Sequence, residues 1–474
     1  LKYFLTLFST LFLFLSCGIN QSNSSINTAM TTDIDSINPY KLVSSNSKQI
    51  MYNVYEGLVM PDENGDVVPA IAKSYSVSND GLTYEFVIRN DVYFHNGEKL
   101  VLDDVLFSLK KVKELKFQEA FENIKSIEAK DENTLLIHLN EPDSSFIYYL
   151  TTAIVSKKTF YSIDTKENGT GAYKIKTYKN EQKLVLEKFD KYYGQKANIN
   201  TININISPNS QTNFLKLLSG EYNFLTTIDV KREKELKNFT VIKQVQNMVF
   251  MMGINNEKVP KNERLGLATY INKDDIIAKT SNNNSVKIYS SMSPILKKYY
   301  NDNITEIGIH GESIMGKTYT LKIPTNDKIY IETAQIIKSQ FEKMSVKIKI
   351  VEMEFSAWLK EVYTNRDFEL TLIGLSGKLD PNSILRRYTS TYKRNFINFN
   401  NKEYDKLISE AKKTADDNKK VENYKKAQQI LVSEGSSVYI MDPAFIVAHS
   451  KNISGYTQYA IPYINFAKLK FGEN

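Results

Sequence analysis

From residue 47 to residue 58 the apolar side chains Ile50, Met51, Val54, Tyr55 and Leu58 return at helical spacing, so this stretch predicts an amphipathic helix closing near Gly57. The period then changes. Tyr84, Phe86 and Ile88 alternate with Glu85, Val87 and Arg89 behind the turn signal Asn79-Asp80-Gly81, which is the two-residue rhythm of a half-buried strand. Asp103 stands where a cap is wanted for a helix carrying Leu102, Val105, Leu106, Leu109 and Val112. Residues 124–130 and 134–139, split by Asp131-Glu132-Asn133, predict a hairpin.

After Gly169 the pattern is dominated by strands, over 173–178, 183–189 and the alternating Ile202, Ile204 and Ile206, followed by a helix with Phe214, Leu217 and Leu218 that stops at Gly220. Residues 245–254 read as one long apolar strand and 318–324 as another. Ile331, Ala334, Ile337, Phe341 and Met344 then form a helix leading into Val346, Ile348 and Ile350, a strand–helix–strand order that requires parallel pairing. Residues 280–285, with three consecutive asparagines, predict a loop; helices over 404–411 and 421–431 and a strand over 438–441 complete the pattern. No internal repeat or coiled coil is present. A chain of 474 residues, 42% hydrophobic, can build more than one such core, so two or three lobes of mixed α/β structure are expected.

The first residues follow a different logic. Lys2 precedes an apolar run over 3–15 that ends at Ser16-Cys17-Gly18 and turns polar over 20–25. A permanent membrane helix needs about 20 apolar residues, so residues 1–16 are expected to be a signal peptide. Cys17 is the single cysteine, so no internal disulfide can form. With small residues on both sides it resembles a bacterial lipobox, and lipid on Cys17 with a tether over 17–26 is the expected outcome.

Charge and chemistry narrow the function by exclusion. The net charge of +7 comes from 61 Lys+Arg against 54 Asp+Glu spread along the chain without a basic block, which argues against nucleic acid as a partner. The four histidines, His95, His138, His310 and His449, are scattered at no metal-ligand spacing, so neither a metal site nor a cofactor is expected. His138 falls opposite the Leu135, Ile137, Leu139 face, at a surface or edge, and His95 lies in a Phe-His-Asn-Gly-Glu turn that it would stabilise. No nucleophile elbow, phosphate-cradling glycine loop or Cys–His pair occurs, and a non-enzymatic protein is expected. The 30 tyrosines could line a cleft, where a ring with a polar tip gives contact area at small entropic cost.

Several segments together resemble family 5 of the extracytoplasmic solute-binding proteins, which serve peptide, dipeptide and nickel importers. They are Tyr55-Glu56-Gly57-Leu58; residues 69–75, Pro-Ala-Ile-Ala-Lys-Ser-Tyr; residues 78–86, Ser-Asn-Asp-Gly-Leu-Thr-Tyr-Glu-Phe; residues 89–98, Arg-Asn-Asp-Val-Tyr-Phe-His-Asn-Gly-Glu; and residues 104–109, Asp-Val-Leu-Phe-Ser-Leu. Gly169-Thr170-Gly171-Ala172-Tyr173 and Tyr192-Tyr193-Gly194 continue the likeness.

The resemblance implies an α/β fold of the periplasmic-binding-protein-like type II, two lobes with a hinge and an extra N-terminal subdomain. Expected boundaries are 27–44, 165–250 and 440–474 for lobe I, 45–164 for the subdomain packed on lobe I, and 251–439 for lobe II. It implies a monomer that captures a small polar solute, a short peptide or a nickel or other metal chelate, and delivers it to the permease and ATPase of an ABC importer. A receptor or adhesion lipoprotein that keeps the fold without transport is the alternative.

Candidate ligand contacts are Met51, Tyr52, Lys378, Leu379, Asp380, Arg386, Tyr388 and Tyr459. The loop Gly374-Leu375-Ser376-Gly377-Lys378-Leu379-Asp380-Pro381 has the length found in the nickel-binding branch. Lys378 can face the cleft or point to solvent; facing the cleft it would repel a peptide ammonium and favour a carboxylate, helped by Arg386 or Arg387. Asp380, just before a proline, is placed to cap the helix that follows.

Overall fold

Hydrophobic alternation sorts the strands into sheets that divide the chain three ways in the computed structural model, which describes residues 25–305 and 311–472. In lobe I, Ser25–Met30 runs parallel to Thr201–Ile206, and the sheet continues antiparallel through Lys183–Lys188 to Tyr173–Lys179. A second sheet sets Ala444–Ser450 between Phe224–Ile228 and Phe239–Val245. The subdomain is an antiparallel sheet in the order Ala72–Val77, Thr83–Ile88, Thr134–Leu139, Ile124–Ala129. Tyr84, Phe86 and Ile88 are buried as their alternation requires, and Leu102–Glu114 buries Val105, Leu109 and Val112. Lobe II has the order Val286–Lys287, Ser437–Asp442, Met248–Ile254, Leu370–Ser376, Thr318–Pro324, Lys347–Met353. Its last two strands pair in parallel and are joined by the helix Lys328–Glu342.

Several elements differ from the sequence expectation, each through a contact distant in sequence. The first helix is Ser45–Met51 and stops well short of residue 58. The carbonyls of Asn53 and Val54 instead accept the N–H groups of Tyr173 (3.0 Å) and Gly171 (2.9 Å). His95 fastens the same loop: its N–H donates to the Gly169 carbonyl at 2.9 Å, Nε2 lies 2.9 Å from the Gly171 carbonyl, and Nδ1 meets Glu167. His138 sits on an interior strand of its sheet, bonded on the outer face to Thr83 and Glu128 at 3.0 Å each. The cap of Leu102–Glu114 comes from Asp104 and not Asp103: Asp104 accepts the Val101 N–H at 3.1 Å, while Asp103 pairs with Lys157 at 2.8 Å.

The apolar run 245–254 is two strands, because Val245 ends the lobe I strand and Met248 begins the lobe II strand, with Gln246 and Asn247 as the crossing. The return crossing is at Pro443, between Ser437–Asp442 and Ala444–Ser450. The lobes therefore change at 246–247 and 443, where 250 and 440 were expected. Ile50, Met51, Val54 and Tyr55 belong to the lobe I core, as do Ala153, Val155 and Ile163, so the subdomain core runs from Leu58 to Ile154 and not over 45–164. Ser25 and Ile26, expected in the tether, are in a strand. The signal peptide over 1–16, Cys17 and the rest of the tether to residue 24 lie outside the described residues.

The subdomain, expected to pack on lobe I, shares a continuous apolar cluster with lobe II. Tyr148 and Tyr299 join their hydroxyls at 3.0 Å, Lys298 pairs with Asp66 at 2.8 Å, and the Ser144 N–H and hydroxyl donate to the carbonyls of Lys412 and Ala411, each at 2.8 Å.

Both lobe crossings meet at Asp442, which is fully buried. Its Oδ1 accepts the N–H groups of Gln246 and Met248 at 3.1 Å each, and the Ser293 hydroxyl donates to Oδ2. Burial outweighs those donors and pushes its carboxyl up to about 7. Asn247 takes a left-handed φ of 52° there, and an added Cβ on Gly377 would lie 2.0 Å from the Asn247 side-chain oxygen, so only glycine fits against the crossing.

Candidate ligand-binding cleft

A cavity of about 480 Å³ opens where all three units meet, and its walls come from segments far apart in sequence. Lobe I supplies Tyr40 and Lys48, the subdomain Phe117 and Tyr149, and lobe II Asn382 and Arg386. Tyr40 is placed by the short helix Pro39–Lys41, capped by Asn38, and its hydroxyl donates to the Ala153 carbonyl at 2.8 Å. Its ring stacks on Phe117 with centroids 5.1 Å apart and planes inclined by 10°. Such a face suits the apolar parts of a ligand. Lys48 projects from Ser45–Met51, whose buried side holds Ser47, Ile50 and Met51. Glu119 and the ion pair Asp143–Lys412 (3.5 Å) complete the charged lining.

The lobe II wall follows from the loop after Leu370–Ser376. Asp380 caps the helix Pro381–Leu385, accepting the N–H groups of Asn382 at 2.9 Å and Ser383 at 3.1 Å. The hydroxyls of Ser383 (2.6 Å) and Tyr149 (3.3 Å) also donate to it. Its carboxylate is thus spent within the protein, on a cap that also ties the subdomain to lobe II. Arg386 and Arg387 follow that helix. Arg387 donates to the Ser376 carbonyl at 2.8 Å, and Arg386 lies over the Tyr392 ring at 5.4 Å with its Nε buried and unpartnered. Lys378 is exposed by surface area, yet the protein packed around its ammonium, then Arg387 and then Lys48, hold its pKa below the ordinary lysine value.

Of the candidates, Arg386 lines this cavity, Asp380 caps the helix in its wall and Lys378 stands on the loop before that helix, while the others lie elsewhere. Met51 is 1% exposed inside the lobe I core, because the helix turns that face inward. Leu379 and Tyr388 are buried in the lobe II core, the Tyr388 hydroxyl reaching the Met251 sulfur at 3.7 Å. Tyr459 packs on Tyr463 (4.6 Å) and Tyr463 on Tyr52 (5.4 Å), next to Ala460, whose carbonyl accepts the Asn247 amide. Tyr52 and Tyr459 line a separate cavity of about 380 Å³. It contains Glu56, which accepts the hydroxyls of Tyr192 (2.8 Å), Tyr193 (3.0 Å) and Thr170 (3.1 Å) and is pushed up to about 7 by burial. Lys48, Tyr40, Phe117, Tyr149 and Asn382 had no signal along the chain beyond being polar or aromatic at element ends. Only their convergence marks them.

Residues 66–396 match the profile of the bacterial extracellular solute-binding proteins, family 5 Middle. The chain is similar to the oligopeptide-binding protein AppA of Bacillus subtilis, 25% identical over 458 residues, covering 86% of this chain and 84% of the relative. It is similar also to the dipeptide-binding protein of Escherichia coli, 26% identical over 456 residues, with 82% and 84% covered. Among solved structures, the substrate-binding protein CtaP of Listeria monocytogenes superposes with a TM-score of 0.84 at 22% identity, covering 95% of this chain and all (100%) of that one. No helix among the described residues is long and apolar enough to cross a membrane.

Proposed function

The chain belongs to family 5 of the bacterial extracellular solute-binding proteins, and on that premise we propose that it captures a short peptide between its lobes and hands it to the permease of an ATP-driven importer. The observation that carries this reading is the cavity built from all three units. A ligand held there touches both lobes, which the chain joins at 246–247 and 443, so in this reading binding and lobe closure draw on one free energy. Its volume, about 480 Å³, suits a peptide of a few residues. The curated relatives named for oligopeptides and dipeptides favour that cargo over a metal chelate.

The expected result is that short peptides stabilise the purified protein by mass action, by about 2.7 kcal/mol at a hundredfold excess over Kd, seen as a rise of several degrees in Tm, with peptide carried through native mass spectrometry. Stabilisation by nickel with free histidine and by no peptide would overturn the peptide cargo.

The protein works, in this reading, outside the cytoplasm and anchored by lipid on Cys17. Cys17→Ser should abolish metabolic labelling with a fatty acid and release the protein from the membrane fraction. A Cys17→Ser protein that stays labelled and membrane-bound contradicts the anchor.

A further inference from the structure

We infer that the cleft selects short peptides carrying net negative charge, recognised by Lys48 and Arg386, which line it from the two lobes; the inference rests on the peptide-binding reading and names the class within it.

The charge balance of the walls points this way. Lys48 lines the cavity from lobe I and Arg386 from lobe II, with Lys378 and Arg387 on the same stretch of lobe II. Elsewhere the protein pairs many of its cations, as with Lys298 between Asp66 and Asp417 or Lys322 between Glu361 and Asp367. Among the described residues no carboxylate lies within ion-pairing distance of any of these four. The nearby acids are engaged: Asp380 by its helix cap, Ser383 and Tyr149, and Asp143 by Lys412 and the Ser145 N–H. Glu119, exposed on the subdomain wall, is the one lining carboxylate without such a partner among the described residues.

Two further features show that the cations lack a partner. The buried Nε of Arg386 has no acceptor, and a guanidinium donor left unpaired suits a carboxylate. Lys48 also stands across the lobe boundary from Lys378 and Arg387, closely enough that both bear on the Lys378 ammonium. Further approach of the lobes strengthens that repulsion, and an anion between them replaces it with attraction from both sides. A ligand carboxylate would therefore serve as the bridge that favours closure, while a free ammonium at the same place would oppose it.

Calorimetric titration of the purified full-length protein with four tripeptides of graded charge tests this: trialanine amide, trialanine, N-acetyl-trialanine and Glu-Ala-Glu. Affinity should rise in that order, by about tenfold or more from first to last, and the gain should shrink in 0.5 M salt because exposed charges are screened (about 10 Å Debye length at 0.1 M). Lys378→Gln and Lys48→Gln, both at exposed positions, should each weaken Glu-Ala-Glu about fivefold or more at low salt, and trialanine amide by clearly less, with Tm unchanged. Trialanine amide binding as tightly as Glu-Ala-Glu, or variants that lose all peptides equally, would overturn the anionic class and leave peptide capture standing. No binding of any of the four would overturn both.

Discussion

Asp442→Ala should cost about 3 kcal/mol or more, because it strands the buried N–H groups of Gln246 and Met248 and the Ser293 hydroxyl at the point where the chain changes lobes. Asp442→Asn should behave differently. Its amide oxygen can still accept both N–H groups and its NH₂ can donate to Ser293, but it carries no proton equilibrium. In the native chain burial favours the protonated acid, moving the carboxyl from its ordinary 3.8 up to about 7. Folding therefore takes up a proton between those values. The stability this group contributes is complete below about pH 4 and is lost as pH rises through 7. Thermal melts from pH 4 to 8 should show the wild type losing about 2–4 kcal/mol more than Asp442→Asn over that range, so that the variant is the more stable at pH 8. Glu56 shifts in the same direction, from 4.5 to about 7, and its contribution remains in both proteins. Parallel stability curves for the two would show that Asp442 is not the titrating group.

The second large effect is expected at the glycine loop that stops the first helix. An added Cβ would lie 1.9 Å from the Val54 carbonyl oxygen at Gly169 and 2.2 Å from that of Asn53 at Gly171. Both obstacles are backbone, so neither can swing aside. Gly169→Ala and Gly171→Ala should each cost about 3 kcal/mol or more or prevent folding, since relief would break the Gly171 and Tyr173 hydrogen bonds and unseat His95. Gly316→Ala is the control. It has a φ of +74° but open space around the added carbon, and should cost only about 1 kcal/mol. Equal losses at the three positions in denaturant titrations would show that close approach is not what demands glycine at 169 and 171.

Much of the fold was legible along the chain. The alternation at Tyr84, Phe86 and Ile88 placed a half-buried strand, and the strand–helix–strand pattern from 318 to 350 gave the parallel pair joined by Lys328–Glu342. The amphipathic patterns after residue 401 became Lys402–Lys413 and Asp417–Ser433. Asp380 before Pro381 could be read as a helix cap from two adjacent residues. Each of these rests on which local face is apolar, or on a donor within a few residues, so neighbouring residues carry the information.

The cleft was legible only in part. Arg386 was within reach because it follows a recognisable loop, whereas Met51, Leu379 and Tyr388 are core residues. The break at Gln246-Asn247 was hidden inside a continuous apolar run, since both strands are apolar and only their partners differ.

The sequence by itself determined most of the local elements, the mixed α/β class and the absence of a basic block, because period, caps and composition act over a few residues. Tertiary structure alone decided that Tyr40, Lys48, Phe117, Tyr149 and Arg386 share one cavity and that Asp442 joins both crossings. Those meetings close loops of tens to hundreds of residues, and a side chain's own neighbours in sequence say that it is buried or charged without saying what it will face.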